Sequence, residues 1–316
     1  MTHTPVETVQ QACKAGTAKQ NLRIGNLFLR AFMGGLLIAA GAALASVCST
    51  GIQTPGIRQL VLGCVFPIGL IAIVLTGMDL FTGDCMFVPL SILSSKTCKS
   101  PVNKIGYVWT LSYIGNLIGS LFWAYIMFMG PFQSGTDRGF EINNYGIAAI
   151  QIAVAKTLTY KSAGLIGWWS CFLKGIACNM LVNIAILLGI TSKNTIGKII
   201  GIWFPIMAFV STGFEHSIAN MYFIPVAMLL LYQHPNACES IGGLVQSNGG
   251  ISVADFIVWN LAPATLGNII GGAVFIGLVY YYIFKDDIHN LEKDSEDGKN
   301  KNKSEKKEKY VETIVK

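Results

Sequence analysis

The chain has 316 residues, of which 52% are apolar and only 13% are charged. Soluble domains carry about 25% charged residues, so this composition excludes an ordinary soluble domain and indicates a membrane protein. The net charge of +6 belongs to the first 284 residues, because the segment from Lys285 to Lys316 contains nine Lys and nine Asp or Glu. This positive balance suits anionic lipid headgroups or an anionic solute, and no nucleic-acid-binding motif accompanies it.

Both ends of the chain differ in composition from its apolar body. Residues 1–26 contain no apolar core followed by a cleavage site, so we expect a cytoplasmic N-terminal segment and no signal peptide. Residues 4–24 are predicted to form a short interfacial helix with Val6, Val9 and Cys13 on one side. Residues 285–316 have almost nothing to bury and are predicted to form a disordered cytoplasmic tail.

The cysteines show no pattern typical of a metal site or of a disulfide framework. All eight are scattered, without a CxxC pair or a Cys/His cluster, and most lie in apolar runs. A Cys in such a run commonly acts as a small buried hydrophobe. We therefore expect no metal and no cofactor. No nucleophile–base pair or phosphate loop is visible either, so the chain is not expected to be an enzyme.

Six apolar runs are long enough to cross a bilayer, which takes about 20 residues. They lie near 27–50, 60–93, 105–129, 165–190, 199–232 and 256–284. The second and fifth runs are too long for one helix each, and each contains a Gly-rich polar interruption, TGMDLFTG (76–83) and STGFEH (211–216). Backbone freed at membrane depth must face protein or a cavity. Both runs are therefore predicted to be broken helices in an all-α domain spanning 27–284.

The loops predict the orientation of these runs. Lys and Arg concentrate in the N-terminal segment and in the loops at 94–104 and 191–198, which carry Lys96, Lys99 and Lys104, and Lys193 and Lys198. The loops on the opposite side are longer and hold few cations. Positively charged loops stay on the cytoplasmic side, so both termini are predicted to be cytoplasmic, with the plasma membrane as the expected location.

The two halves of the apolar body share four motifs in the same order. They are FLR (28–30) and FLK (172–174), FPI (66–68) and FPI (204–206), TGMD (76–79) and TGFE (212–215), and GNLIG (115–119) and GNIIG (267–271). Each half, at about 27–129 and 165–284, holds three runs, and an odd number of crossings turns the second copy upside down. The sequence therefore predicts two inverted three-helix repeats, whose binding site usually lies at the midplane between the interrupted helices.

The two interruptions carry the residues best suited to chemistry. His216 is the only His inside an apolar run, and Thr82 offers a hydroxyl at the opposite interruption. An imidazole changes its charge near neutral pH, which suits proton-linked handling of an anion. The alternative is a packing His with a backbone partner. The symmetric placement of the interruptions favours a pore-lining His216.

Asp79 and Glu215 occupy matching places in the two repeats. We favour the interpretation that each carboxylate accepts bonds from backbone N–H groups freed at the break, as at a helix N-terminus. The alternative is that the two carboxylates contact the solute directly, but two bare carboxylates would repel an anion. Asp84, just after the first break, is equally expected to act as a cap.

Apolar and amide side chains surround the interruptions. Phe66, Leu70, Leu80, Phe81 and Phe209 either pack like ordinary helix residues or form rings above and below the His that admit a solute only after it sheds water. The amides expected to tie helices together are Asn116, Asn179, Asn220 and Asn268. Lys174, beside Trp168 and Trp169, either extends to the membrane interface or draws anions into a mouth.

Four stretches closely resemble the formate–nitrite transporter family: TGMDLFTG (76–83), KGIACNMLV (174–182), GFEHSIANM (213–221) and NLAPATLGNIIGG (260–272). The resemblance covers about residues 20–285. It implies an aquaporin-like fold with six transmembrane helices and a pentamer with one pore per protomer. It also implies passage of small monovalent anions or their acids, such as formate, nitrite, lactate, acetate or hydrosulfide.

The resemblance also assigns roles to residues. It implies that His216 is the family's central His and that Thr82 is the hydroxyl bonded to it. The five apolar residues match two hydrophobic constrictions, while Asn179, Glu215 and Asn220 match polar residues that support the site. For the family's anion-attracting lysine, Lys156 is the candidate, with Lys161 and Lys174 as alternatives. Asp84 departs from the pattern, because many relatives have Asn there.

The resulting expectation is proton-coupled transport of a small monovalent anion, with the anion, the proton, the bilayer and a homopentamer as partners. An aquaporin-type channel for neutral solutes is an alternative, although the chain contains no Asn-Pro-Ala pair. A membrane sensor, or an anchor for the charged tail, is a third possibility.

Overall fold

The computed structural model describes residues 2–94, 101–137, 139–288 and 290. The tail residues 291–316, together with Lys96 and Lys99 of the loop at 94–104, lie outside the described residues. The helices are α1 (Pro5–Gln20), α2 (Ile24–Cys48), α3 (Pro55–Val65), α4 (Ile68–Thr76), α5 (Phe81–Ser94), α6 (Pro101–Met129), α7 (Asn144–Lys156), α8 (Leu158–Ser162), α9 (Gly164–Thr191), α10 (Thr195–Ser211), α11 (Ser217–Gln233), α12 (Ala237–Ile241), α13 (Gly243–Ser247) and a C-terminal helix (Val253–Ile288).

The remaining regular structure is small. Strands β1 (Gln133–Thr136) and β2 (Gly139–Ile142) form an antiparallel hairpin between α6 and α7. The C-terminal helix contains π-helical stretches at Ile257–Leu261 and Ile270–Leu278. The described part of the protein is thus predominantly helical, as the apolar runs predict.

Five helical segments among the described residues are long and apolar enough to cross a membrane. They are Ile24–Cys48, Pro55–Thr76, Asn103–Met129, Gly164–Thr191 and Val253–Ile288, and α5, α10 and α11 are apolar but shorter. The second and fifth apolar runs begin earlier than the hydropathy indicates. Pro55 fits the first turn of α3, and the Asn194 side chain caps α10 by accepting from the backbone N–H of Gly197 at 2.7 Å.

The chain leaves the helix at both of the interruptions. α4 ends at Thr76 and α5 begins at Phe81, while α10 ends at Ser211 and α11 begins at Ser217. Gly77 and Gly213 take left-handed φ values of 74° and 71°, a conformation that costs residues with a Cβ about 1 kcal/mol or more. Both helix ends have the same C-terminal hydrogen bond, in which the N–H of the residue after the glycine donates to the carbonyl five positions earlier. The N···O distances are 3.0 Å after Gly77 and 3.1 Å after Gly213.

Two buried asparagines bind the backbone freed at these breaks. Asn116 on α6 donates to the carbonyl oxygens of Ala31 and Asp79, and its own oxygen accepts from the N–H of Phe81, at 2.6, 3.0 and 2.8 Å. Asn268 on the C-terminal helix makes the equivalent bonds to Gly175, Glu215 and Ser217, at 2.8, 2.9 and 2.9 Å. Asn116 and Asn268 therefore connect helices, as expected, and each does so by binding backbone groups at a break and a carbonyl of a neighbouring helix.

The capping role expected of Asp79 and Glu215 is wrong. The hydrogen bonds that the structure describes for their carboxylates come from side chains of other segments, not from backbone N–H groups. The physical reason is that a neutral amide offers both a donor and an acceptor. Asn therefore satisfies a freed N–H and a freed carbonyl together, which a carboxylate does not.

α1 packs onto the protein instead of lying only at the interface. Thr4 and Glu7 form a capping box at its start, and Val9 and Cys13 are buried. Gln20 donates to the Ser91 hydroxyl of α5 at 2.6 Å. The N-terminus also reaches the α9–α10 loop, since the N–H of His3 donates to the Thr191 carbonyl at 2.8 Å. α1 thus closes one end of the helical body.

We predict that Asn268→Ala lowers the free energy of unfolding by about 2–4 kcal/mol, because it removes the partner of the Glu215 carbonyl and of the Ser217 N–H in a buried site. Thermal unfolding in detergent measures this loss. Asn26→Ala is the matched control, because Asn26 is exposed on α2. Equal melting temperatures for the two variants would contradict the bracing role of Asn268.

Candidate functional site

His216 and Thr82 meet at the centre of the protein. The Thr82 Oγ1 lies 3.0 Å from His216 Nε2, and both residues are buried. His216 is also the N-cap of α11, where its Nδ1 accepts from the backbone N–H of Ala219 at 3.1 Å. Since Nδ1 acts as an acceptor, the proton of the neutral ring lies on Nε2, and Thr82 Oγ1 accepts it. This leaves the Thr82 hydroxyl proton free to be donated elsewhere.

Thr82 is held in place through its own backbone. Its carbonyl oxygen accepts from the side chains of Asn179 and Asn183, at 3.0 Å and 3.2 Å. Asn179 also donates to the Asn268 carbonyl at 2.6 Å, which connects Thr82 to the brace at the second break. Asn183 was not among the predicted site residues. Its spacing of one helical turn from Asn179 in CNMLVN is the signal that identifies it.

Two cavities approach this centre from opposite ends of the protein. The first, which we call the Lys156 cavity, has a volume of about 250 Å³ and is bordered by Arg58, Lys156, Tyr160, Lys174, Glu215 and His216. The second, the Lys19 cavity, has a volume of about 340 Å³ and is bordered by Lys19, Arg30, Asp79 and Gly83.

Four of the five apolar candidates border these cavities. Phe66 and Phe209 line the Lys156 cavity, with ring centroids 5.7 Å apart, and Phe209 stacks on His216 at 5.8 Å. Leu70 and Leu80 line the Lys19 cavity. Phe81 borders neither, because its ring packs edge-on against Tyr113 and Trp109 at 4.8 Å and 6.1 Å. The geometry therefore gives no support to a constriction role for Phe81.

Glu215 is the hub of a polar network on the Lys156 side. Its carboxylate accepts from the side chains of Lys156 at 3.0 Å, Tyr160 at 2.8 Å, Asn220 at 2.7 Å and Asn260 at 3.1 Å. Lys174 donates to the Tyr160 hydroxyl at 3.1 Å. Of the three lysine candidates, Lys156 and Lys174 border the cavity, whereas Lys161 pairs with Asp255 at 2.9 Å. The Lys156 cavity thus carries three cations against one carboxylate.

The Lys19 cavity contains a pairing that sequence reasoning missed. The Lys19 ammonium donates to Asp79 Oδ1 and, at 2.7 Å, to Asp84 Oδ1. Lys19 lies on α1, some 60 positions before Asp79, and outside every apolar run. Only the packing of α1 against the breaks brings it there. Nothing in the local sequence indicates this contact.

Five described helices long and apolar enough to cross a membrane, with cavities on both sides of the buried His216–Thr82 pair, are typical of an integral, multi-pass membrane protein that passes a small solute. Comparison with known proteins is consistent with this class. The family model for formate/nitrite transporters matches residues 6–282, and the chain belongs to that family. Members of this family are transporters and channels, not enzymes.

Curated and structural relatives agree with this assignment. A probable formate transporter of Methanothermobacter thermautotrophicus is 36% identical over 293 residues, covering 89% of this chain and 96% of that protein. The formate channel FocA of Haemophilus influenzae is 33% identical, and the match covers 89% of this chain and 95% of the FocA chain. A solved structure described as a pentameric formate channel with formate bound is 31% identical with a TM-score of 0.67, covering 83% of this chain and 97% of that one.

We predict that Lys156→Met destabilises the protein by about 2–4 kcal/mol, because it leaves the buried Glu215 carboxylate without its ammonium partner. The Lys156 side chain is 18% exposed and that of Lys161 is 38% exposed, and Asp255 also accepts from Ser252, so Lys161→Met is the matched control with an effect below about 1 kcal/mol. Thermal unfolding of the two purified variants measures the difference. Equal losses would contradict a special role for the Lys156–Glu215 pair.

Proposed function

We propose that this protein transports formate, or a closely similar small monovalent anion such as nitrite, lactate, acetate or hydrosulfide, together with a proton. The proposed path leads through the Lys156 cavity, past His216 and Thr82, into the Lys19 cavity. The observation that carries the proposal is the buried His216–Thr82 pair, 3.0 Å apart, with apolar side chains on both approaches.

The Lys156 cavity collects the anion. Arg58, Lys156 and Lys174 border it together with a single carboxylate, Glu215, and that carboxylate is already bonded to four donors. The remaining positive charge raises the local concentration of a small anion. Lys174 and Arg58 supply the attraction, because Lys156 is occupied by Glu215.

The apolar approaches exclude the charged form of the solute. Phe66 and Phe209 on one side and Leu70 and Leu80 on the other offer no hydrogen bonds from their side chains to a carboxylate that has lost its water. An unpaired charge in such surroundings costs several kcal/mol or more, so the anion takes up a proton and crosses as the neutral acid. The free Thr82 hydroxyl proton offers the acid one hydrogen bond at the centre.

The arrangement in the membrane follows from the same proposal. We infer six crossings in two inverted three-helix repeats of the aquaporin-like plan, with broken second and fifth helices. The matched braces of Asn116 and Asn268 support this inference. Both termini face the cytoplasm, so the Lys19 cavity opens inward at the plasma membrane. The assembly is a homopentamer, by analogy with the pentameric formate channel.

Purified protein in liposomes tests the transport proposal. We expect formate uptake to rise several-fold when the outer solution is made more acidic than the lumen, because the neutral acid is the species that crosses. Isotope uptake and a trapped pH dye measure the two fluxes together. Protein-free liposomes are the control for leakage of the acid through lipid, and formate uptake that is indifferent to the proton gradient would overturn the coupling.

A second experiment tests the central histidine. We expect His216→Ala to change the dependence of formate uptake on pH, because it removes the donor that orients the Thr82 hydroxyl. Thr82→Val, which removes the hydroxyl itself, should lower uptake by on the order of tenfold, while Thr82→Ser retains most of it. His234→Ala is the matched control, because His234 is half-buried, lies 2.8 Å from Gln133 and borders neither cavity. An unchanged pH profile in His216→Ala would remove His216 from the mechanism.

A further inference from the structure

The two cavities have corresponding charged centres that differ at one position. Asp79 corresponds to Glu215, and Lys19 and Lys156 are their ammonium partners. Five residues after each of these carboxylates, the chain has Asp84 on the Lys19 side and Asn220 on the Lys156 side. An acid thus stands where the other half of the protein has an amide.

This difference changes how well the carboxylates are satisfied. Both oxygens of Glu215 accept hydrogen bonds, one of them from the Asn220 amide. Asp79 and Asp84 are 1% and 0% exposed, yet the Oδ2 atom of each has no hydrogen-bond partner among the described residues. Asp79 also borders the Lys19 cavity. The Ser112 hydroxyl lies near the Asp84 carboxyl but donates to the Trp109 carbonyl at 3.4 Å. The bare Oδ2 atom of Asp79, beside the cavity, indicates that a donor is still to be supplied.

The balance of charge leads to the same conclusion. A single ammonium, that of Lys19, bonds to both carboxylates, which leaves one negative charge uncompensated in a buried site. Arg30 borders the same cavity, but its side chain makes no ion pair in the described part of the chain. An unpaired buried charge is costly, and one bound proton removes it while providing the missing O–H donor.

We propose that Asp79 and Asp84 form a second proton-binding site, which holds one proton at rest and exchanges it on the Lys19 side. Release of this proton to water leaves a carboxylate beside the cavity. An arriving acid then transfers its proton to that carboxylate: the O–H bond of the acid breaks, a carboxyl O–H bond forms, and the electron pair stays on the departing anion. This inference rests on the proposed function, in which the solute crosses as the neutral acid.

The surroundings of the pair contain few other groups that titrate. Among the described residues, the charged or titratable groups that the packed elements place nearest the pair are Lys19 on α1, Arg30 on α2, Cys85 on α5 and Tyr113 on α6, with His216 beyond Thr82. Tyr113 bonds to Thr265 and does not face the cavity. α6 also provides Trp109, whose indole N–H donates to the Asp84 carbonyl at 3.1 Å. The site is thus an acid pair served by one lysine.

Asp84→Asn tests the site, because it recreates the arrangement of Glu215 and Asn220. Infrared difference spectra of the full-length protein between acidic and alkaline buffer detect the carbonyl stretch of a buried protonated carboxyl. We expect this band in the wild type at neutral pH and its loss in Asp84→Asn. Glu239→Gln, which removes an exposed acid, is the matched control and should keep the band. A wild type without the band, or an Asp84→Asn variant that retains it, would overturn the proposal.

Formate flux gives a second measurement, which can be made separately for each side of the membrane. In right-side-out and inverted vesicles, we expect Asp84→Asn to reduce the response of the rate to pH on the Lys19 side by roughly threefold or more, and to leave the response to pH on the other side unchanged. A loss on both sides equally would contradict a site confined to one cavity. If replacing sodium by choline abolished the wild-type response, the site would bind a metal cation and not a proton.

Two controls keep these outcomes separate. Asp79→Asn is the second variant if Asp84→Asn unfolds, and thermal unfolding identifies that case. The infrared band does not depend on transport. If the wild type showed the band but moved no formate with protons, the proposed function would fail while the proton site stood. If it moved formate with protons but lacked the band, only the proton site would fail.

Discussion

A backbone that leaves the helix inside a membrane must find its hydrogen-bond partners within the protein, and the centre of this molecule depends on how that requirement is met. Asn116 and Asn268 each bind the carbonyl and the N–H that a break sets free, together with a carbonyl of a neighbouring helix. Each amide thus fixes both the break and the helix beside it. The position of His216, directly after the second break, follows from this brace.

Because the amides satisfy the backbone, the carboxylates at the breaks are available for charges. Asp79 and Glu215 bind Lys19 and Lys156, which arrive on α1 and α7, outside the long apolar segments. These pairs neutralise the lysines, so the positive charge left at the Lys156 cavity is that of Arg58 and Lys174. In the proposed mechanism, these cations attract an anion at the entrance and the apolar side chains reject its charged form further in, so electrostatics and desolvation act on successive parts of the path.

Much of the candidate site is predictable from local patterns, and the part that is not depends on contacts between distant segments. His216 and Thr82 stand out because polar residues interrupt apolar runs, and the structure brings their side chains within hydrogen-bond distance. Lys19 and Tyr160 do not stand out, since nothing near them in the chain shows which carboxylate they will meet. Phe81 shows the reverse case: its place beside Leu80 indicates a constriction, but its ring packs against α6.

The membrane class, the family and the positions of the two breaks can be read from the amino-acid sequence, because hydropathy, glycine and motif spacing are local properties of the chain. The tertiary structure alone decided which lysine meets which carboxylate, and that amides, not acids, brace the breaks. It also showed that Asp84 shares Lys19 with Asp79. These pairings join residues 35 to 93 positions apart. They are settled only when helices pack, since packing removes water and every buried polar group must then find a partner.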